Sequence, residues 1–240
     1  MITSPQNEKL KLVRRLQRRR SRERDGLFVG EGEDVLAAAR AAGAEPVELL
    51  TAAGEGLGGD EVEPSLLDGF SALGSGTRAI GVWRHTWAEE VTAPVVYLHS
   101  VADPGNVGTI IRTAHALVGG SVVMGPACAD PFGPRAVRSS MGAVFSQPIV
   151  RAGIEETPEP RAALVAHGGG PLEALRVPAT LCLGAEREGL PEEVLELCET
   201  QVTIPLRESA ESLNVAAAAA IALQRISSPA SGGIGSESDD

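Results

Sequence analysis

The chain has no run of about 18 consecutive apolar residues, so no membrane-spanning helix is expected, and its polar, basic amino terminus lacks the apolar stretch of a secretory signal. A cytoplasmic protein is predicted. Cysteine is scarce, and Cys128, Cys182 and Cys198 stand apart without pairing or metal-ligand spacing. That excludes a disulfide framework and predicts reduced thiols, with Cys182 and Cys198 in segments that read as buried. The four histidines, His85, His99, His115 and His167, are equally scattered, so no metal site is expected. Positive charge is lacking overall as well. A net charge of −11 argues, taken alone, against a nucleic-acid partner, because Lys and Arg neutralising phosphates supply most non-specific affinity.

The distribution of charge reverses that reading. Residues 1–25 hold nine Lys or Arg against three Asp or Glu, a local charge of +6 that leaves −17 elsewhere. Leu10, Val13, Leu16 and Gln17 fall at helical spacing, which predicts a helix with a narrow apolar stripe and a broad cationic face. Arg14, Arg15, Arg18, Arg19 and Arg22 are its candidate nucleic-acid contacts, since guanidinium groups suit bidentate phosphate binding. The alternative is a solvated charge run.

A length of 240 residues with 43% hydrophobic and 22% charged residues suits two modest domains. The first, residues 1–90, reads as a small α/β unit: the basic helix, a strand in GLFVG, a helix in EDVLAAARAAG, a strand in PVELLTA, a Gly-rich acidic loop, a short helix in SLLDGFSAL and a strand in TRAIGVW. The second, residues 91–227, alternates apolar strands (VVYLHS, SVVMG, AALVAH, ATLCLG, QVTIPL) with helices after Asn106, Pro134, Pro191 and Ser212. Such alternation predicts an α/β fold with a parallel sheet covered on both faces. The last helix is apolar almost all round and is expected to be buried, within the chain or against another subunit. Residues 228–240, SPASGGIGSESDD, read as a disordered tail.

Gly54, Gly56 and Gly59 fit a dinucleotide-binding spacing, but Asp60, Glu61 and Glu63 follow where a phosphate-binding helix start is needed, so the match reads as a decoy. Three other segments carry the chemistry. In DPGNVGTIIR, Asn106 is a competent N-cap, Gly108 keeps the first turn open to a ligand, and Arg112 stands in a mostly apolar helix near the face of Asn106 and Thr109. In LCLGAEREGL, Gly184 and Gly189 allow close backbone approach to a ligand, while Glu186 binds its polar groups or orients Arg112. In VTIPLRESAESLNVA, Ser212 is the expected cap of the last helix, and the Asn214 amide needs partners from the protein or a ligand.

Taken in order, N-V-G-T-I-I-R, G-A-E-R-E-G-L and I-P-L-R-E-S-A-E-S-L-N-V-A closely resemble the three motifs of the SpoU (TrmH-like) branch of the SPOUT RNA methyltransferases, over about residues 95–226. The earlier region looks like the small RNA-binding domain that many members carry in front. The resemblance implies a deep trefoil knot near the carboxyl end, S-adenosylmethionine as cofactor and a homodimer with its active site at the subunit interface. It also implies transfer of a methyl group to a ribose 2′-oxygen, without a metal. Gly184, Ile204 and Leu213 match the family's cofactor-binding positions, with Leu183 and Leu206 as neighbours. Arg112 matches the catalytic arginine, and Asn106, Glu186, Ser212 and Asn214 match the remaining polar active-site positions. Departures are Ala185, where Asn is common, and the altered helix end at His115 to Gly119. Ribosomal RNA is the first substrate expected and transfer RNA the second. A non-catalytic RNA-binding dimer, a base methyltransferase and an unrelated nucleotide-binding enzyme are the alternatives.

Overall fold

The computed structural model describes residues 1–72, 76–175, 180–207 and 212–227. Leu10, Val13 and Leu16 are fully buried, as their spacing predicts, but the basic segment is two helices rather than one. Helix α1 (Glu8–Leu16) is capped by Asn7, whose side chain accepts from Lys9 N, and α2 (Arg19–Asp25) restarts after an extended Arg18. The apolar stripe stops at Leu16, so nothing in the sequence holds a straight continuation against the core. Strand β1 (Leu27–Glu31), helix α3 (Glu33–Ala41), strands β2 (Glu48–Ala52) and β3 (Asp60–Val62), helix α4 (Pro64–Asp68) and strand β4 (Ala79–Arg84) follow. They build a four-stranded sheet in the order β1-β4-β2-β3. The sequence reading has three of these strands and takes β3 for part of an acidic loop. Asp60 and Glu61 are tolerated there because β3 is an edge strand, pairing only with β2 apart from the bridge between Ile2 and Val62.

Strand β5 (Val95–Leu98) opens the second sheet. It is followed by helix α5 (Pro104–Leu117), β6 (Ser121–Met124), helix α6 (Pro134–Ser140), β7 (Ile149–Arg151), β8 (Arg161–Leu164), β9 (Gly170–Pro171) and β10 (Thr180–Leu183). Helix α7 (Glu192–Leu195), β11 (Thr200–Thr203) and helix α8 (Val215–Ser227) complete the described chain. Every pairing in this seven-stranded sheet, ordered β7-β6-β5-β10-β8-β11-β9, is parallel. Val96, Leu98, Val122 and Leu181 face one core with α5 and α8, while Val95, Tyr97, Val123 and Cys182 face the other with α7. This two-sided burial is why the strands read as continuous apolar runs.

The core under α5 and α8 continues into the first sheet, where Phe28 and Trp83 pack against Phe132 and Phe145. Here α2 is tied down by Arg22, whose guanidinium donates to Asp130 (2.6 and 2.8 Å) and to the carbonyls of Leu16 and Gln17. The reading of Arg22 as an RNA contact is therefore corrected: its side chain is 6% exposed and its donors are engaged. The predicted tail, residues 228–240, lies outside the described residues. Among the described residues no helix is long and apolar enough to cross a membrane.

Candidate active site

The carboxyl ends of β8, β10 and β11 open into a cavity of about 660 Å³. Leu183, Gly184, Glu186, Ile204, Leu206, Ser212 and Leu213 all line it, joined by His167, Arg187 and Leu190. This edge of a parallel sheet is where loops following successive strands converge on a ligand. The wall is mixed, with leucine and isoleucine side chains opposite the 184–189 loop, as an amphipathic nucleoside-like ligand requires. That loop is a tight hairpin, with Ala185 N and Gly189 N each donating to the other residue's carbonyl. A Cβ on Gly184 would stand 2.2 Å from the Gly189 carbonyl carbon, and Gly189 itself has φ of +70°. Both glycines are thus required by backbone geometry.

Beside the cavity, hydrogen bonds join three segments that are far apart in sequence. Asn214 caps α8: its Oδ1 accepts from Ala216 N (3.0 Å) and Ala217 N (3.3 Å). With that oxygen engaged, its amide nitrogen donates to Asn106 Oδ1 at 3.0 Å, which in turn directs the Asn106 amide nitrogen to the Glu186 carboxylate. The orientation of both amides follows from the helix end, since each oxygen faces a donor and each nitrogen an acceptor. Two cap assignments are corrected by this arrangement. Asp103, not Asn106, caps α5, accepting from Asn106 N at 3.0 Å, and Asn214, not Ser212, caps α8. Asn106 lies inside the first turn of its helix, and its side chain is free for the relay because Asp103 does the capping.

Gly108 also serves differently from the expectation. It is buried, and a Cβ there would approach the Ala136 carbonyl to 2.2 Å, so its role is the close crossing of α5 and α6. Arg112 is not brought to the cavity within one chain. It stands exposed on α5, about 9 Å along the axis from Asn106 at 1.5 Å per residue, and Glu186 turns to Asn106 rather than to Arg112. Among the described residues Arg112 has no ion-pair partner. His167 and Arg187 line the cavity although the sequence reading gives them no role. Their signal is position, each falling just past the end of a strand on this edge.

Of the amino-terminal arginines, Arg14 packs over Phe70 (4.4 Å to the ring centre), Arg15 pairs with Asp25 (3.0 Å) and Arg19 with Glu23 (2.9 Å). Arg18 is exposed. All four remain on the surface.

Comparisons with known proteins bear on this geometry. Residues 93–224 match the SpoU rRNA Methylase family, and residues 7–74 match the MRM3-like substrate binding domain. The chain is 30% identical to the 23S rRNA (guanosine(2553)-2'-O)-methyltransferase RlmP of Bacillus subtilis, covering 92% of this chain and 96% of that one. Among solved structures, an AdoMet-bound rRNA methyltransferase from Sinorhizobium meliloti superposes with a TM-score of 0.83 at 27% identity, over 94% of this chain and 96% of that one. AviRb, a SpoU methyltransferase from Streptomyces viridochromogenes in complex with AdoMet, gives 0.80 at 25% identity, over 92% and 97%. With the fold, the ordered motifs and these matches in agreement, the chain belongs to the SpoU rRNA methylase family.

Proposed function

We propose that this protein transfers the methyl group of S-adenosylmethionine to a ribose 2′-hydroxyl of a structured RNA in the cytoplasm, ribosomal RNA before transfer RNA. The observation that carries the reading is the hydrogen-bonded chain from Asn214 through Asn106 to Glu186 on the rim of a glycine-walled cavity. The described structure fits the cofactor: Leu183, Ile204, Leu206 and Leu213 offer apolar walls, and Gly189, exposed and with no atom within 4 Å of its Cβ position, leaves its part of the hairpin backbone open. S-adenosylmethionine supplies, when bound, a methyl group on a positively charged sulfur. The chain's residues then hold the acceptor. Glu186, Ser212 and the two asparagines position polar groups at the rim, so the 2′-hydroxyl meets the methyl group in line. Such alignment can contribute up to roughly 7–11 kcal/mol. A guanidinium is a poor base, so Arg112 serves instead to bind an RNA phosphate and steady charge developing on the attacking oxygen.

Because Arg112 lies off the cavity of its own chain, the reading requires a homodimer in which one protomer's Arg112 serves its partner's cavity. Two exposed apolar side chains support this: Ile221 on the outward face of α8, 42% exposed, and Leu213 just before that helix at the cavity, 37% exposed. A trefoil knot is inferred with it, supported by β10 lying between β5 and β8 after the chain has already built β6 to β9. Residues 1–90 are assigned to RNA binding, residues 91–227 to methyl transfer and residues 228–240 to a tail.

The test is methyl transfer from radiolabelled S-adenosylmethionine to total RNA from a strain lacking the gene, followed by nucleoside analysis. We expect a 2′-O-methyl mark in ribosomal RNA. Arg112→Ala should reduce transfer at least a hundredfold while calorimetry gives an unchanged cofactor affinity. Retained turnover would remove Arg112 from the mechanism, and a methylated base would replace the ribose assignment.

A further inference from the structure

A second cleft, of about 450 Å³, opens on the same edge of the seven-stranded sheet, at the ends of β6 and β7. Its walls are Arg19 of α2, Trp87, Arg151, and the loop from Met124 to Ala129. The Arg151 guanidinium lies over the Trp87 ring, 4.4 Å from its centre, and its side chain is otherwise exposed. Trp87 is held in turn by an edge contact with Phe132 at 5.2 Å. The cleft therefore presents a flat cation, fixed from behind, with its outer face open. Arg19 stands opposite and is fixed differently. One turn along α2, Arg22 is clamped to Asp130, so the helix is held against the loop that forms the cleft wall. Of the carboxylates nearby, Asp130 is engaged by Arg22 and Glu156 by the Gly153 amide at 2.8 Å, Glu155 lies against Gly153, and Glu23 accepts from Arg19 Nε at 2.9 Å, so a phosphate at Arg19 shares the guanidinium with Glu23 or displaces it. The Arg19 hydrogen bond, with Arg151 and Arg22 adding to it, holds the Glu23 carboxyl below its usual range.

We propose that this cleft is a binding site for one nucleotide of the RNA strand that flanks the methylated residue, its base stacked on the outer face of Arg151 and its phosphate held by Arg19. The inference rests on the RNA methyltransferase reading above and extends it to a site that the three motifs do not contain. Bases stack on arginine planes as they do on aromatic rings, and a guanidinium already backed by tryptophan loses little freedom in doing so. The volume is within the range of about 300–1,000 Å³ typical of small-molecule sites. Position also fits. Strand β6 is separated from β10, which carries the Gly184 loop, by β5 alone, so the nearest strands of the two openings stand about 10 Å apart on one rim at about 4.8 Å per strand. A single strand crossing that rim reaches both.

The experiment uses the full chain and a fluorescein-labelled, mixed-sequence, single-stranded RNA 12-mer, with anisotropy measured over a series of salt concentrations. Arg19→Ala and Arg151→Ala should each weaken binding about fivefold and the double variant at least tenfold. The slope of log affinity against log salt should become shallower by about 0.7 for each phosphate left without its arginine. Arg151→Lys keeps the charge and loses the plane, so it should retain the salt slope while still binding several-fold more weakly. Circular dichroism and S-adenosylmethionine calorimetry, both unchanged, show that the variants are folded. Failure of the wild-type chain to bind the 12-mer overturns the proposal, as does a double variant within twofold of it. An Arg151→Lys variant equal to wild type overturns the stacking. Methyl transfer is measured in parallel, so a chain that binds the 12-mer through these arginines but methylates nothing sinks the methyltransferase reading and leaves the nucleotide site standing.

Discussion

Gly184 shows how little room the 184–189 hairpin has. An alanine there puts its Cβ 2.2 Å from the Gly189 backbone, which cannot yield as a flexible side chain would. Overpacking of this kind costs typically about 1–3 kcal/mol. Gly184→Ala is therefore expected to lower S-adenosylmethionine affinity at least tenfold in calorimetry, and unchanged affinity would show that the loop does not touch the cofactor. The thiols differ in a way the sequence hides. Cys198 lies 3.7 Å from Cys182, and the hydrogen bond between them lowers the Cys198 thiol while it and burial raise Cys182. Iodoacetamide at pH 8 should accordingly label Cys198 well before Cys182 or Cys128, as peptide mass spectrometry would read. At this scale the motif residues were legible and their duties were not. Asn106, Asp103, Ser212 and Asn214 all have side chains suited to capping, and only the fold reveals which of each pair faces the helix end.

Among the elements, the basic segment departs most from its sequence reading. Helical spacing located Leu10, Val13 and Leu16 correctly, but charge alone could not distinguish Arg22 from its neighbours, since its partner Asp130 is 108 residues away. Removing one member of a buried ion pair leaves the other stranded, at a cost of about 3–5 kcal/mol. Arg22→Ala should shift the urea midpoint strongly, whereas exposed Arg18→Ala should stay within about 0.5 kcal/mol of wild type. Equal effects would contradict the clamp. Asn214→Ala removes both the α8 cap and the donor to Asn106. About 0.5–2 kcal/mol of stability should be lost with the cap, together with most methyl transfer. The parallel sheet was readable because its apolar strands interleave with helices. Strand β3 was not, because an edge strand can carry Asp60 and Glu61 at little cost.

For the whole molecule, alternation of strands and helices predicted the α/β class, but no local pattern reports strand order. That order rests on pairings such as β10 with β5, whose partners lie about 85 residues apart (Thr180 with Val95, Leu183 with Leu98). The outward face of α8 makes a prediction at this scale. Light scattering coupled to size exclusion should give a dimer mass at micromolar concentration. Ile221→Glu should convert it to a monomer with unaltered circular dichroism and abolished methyl transfer. A monomeric wild-type chain would refute the shared site. The seam between the two sheets has an optical consequence too. The chain has two tryptophans, and both are there: Trp83 against Phe28 and Phe145, Trp87 against Phe132 and beneath Arg151. Excited to the red of tyrosine absorption, so that Tyr97 stays dark, their emission gauges the joint itself, reddening when the halves part and changing when a guest settles on Arg151.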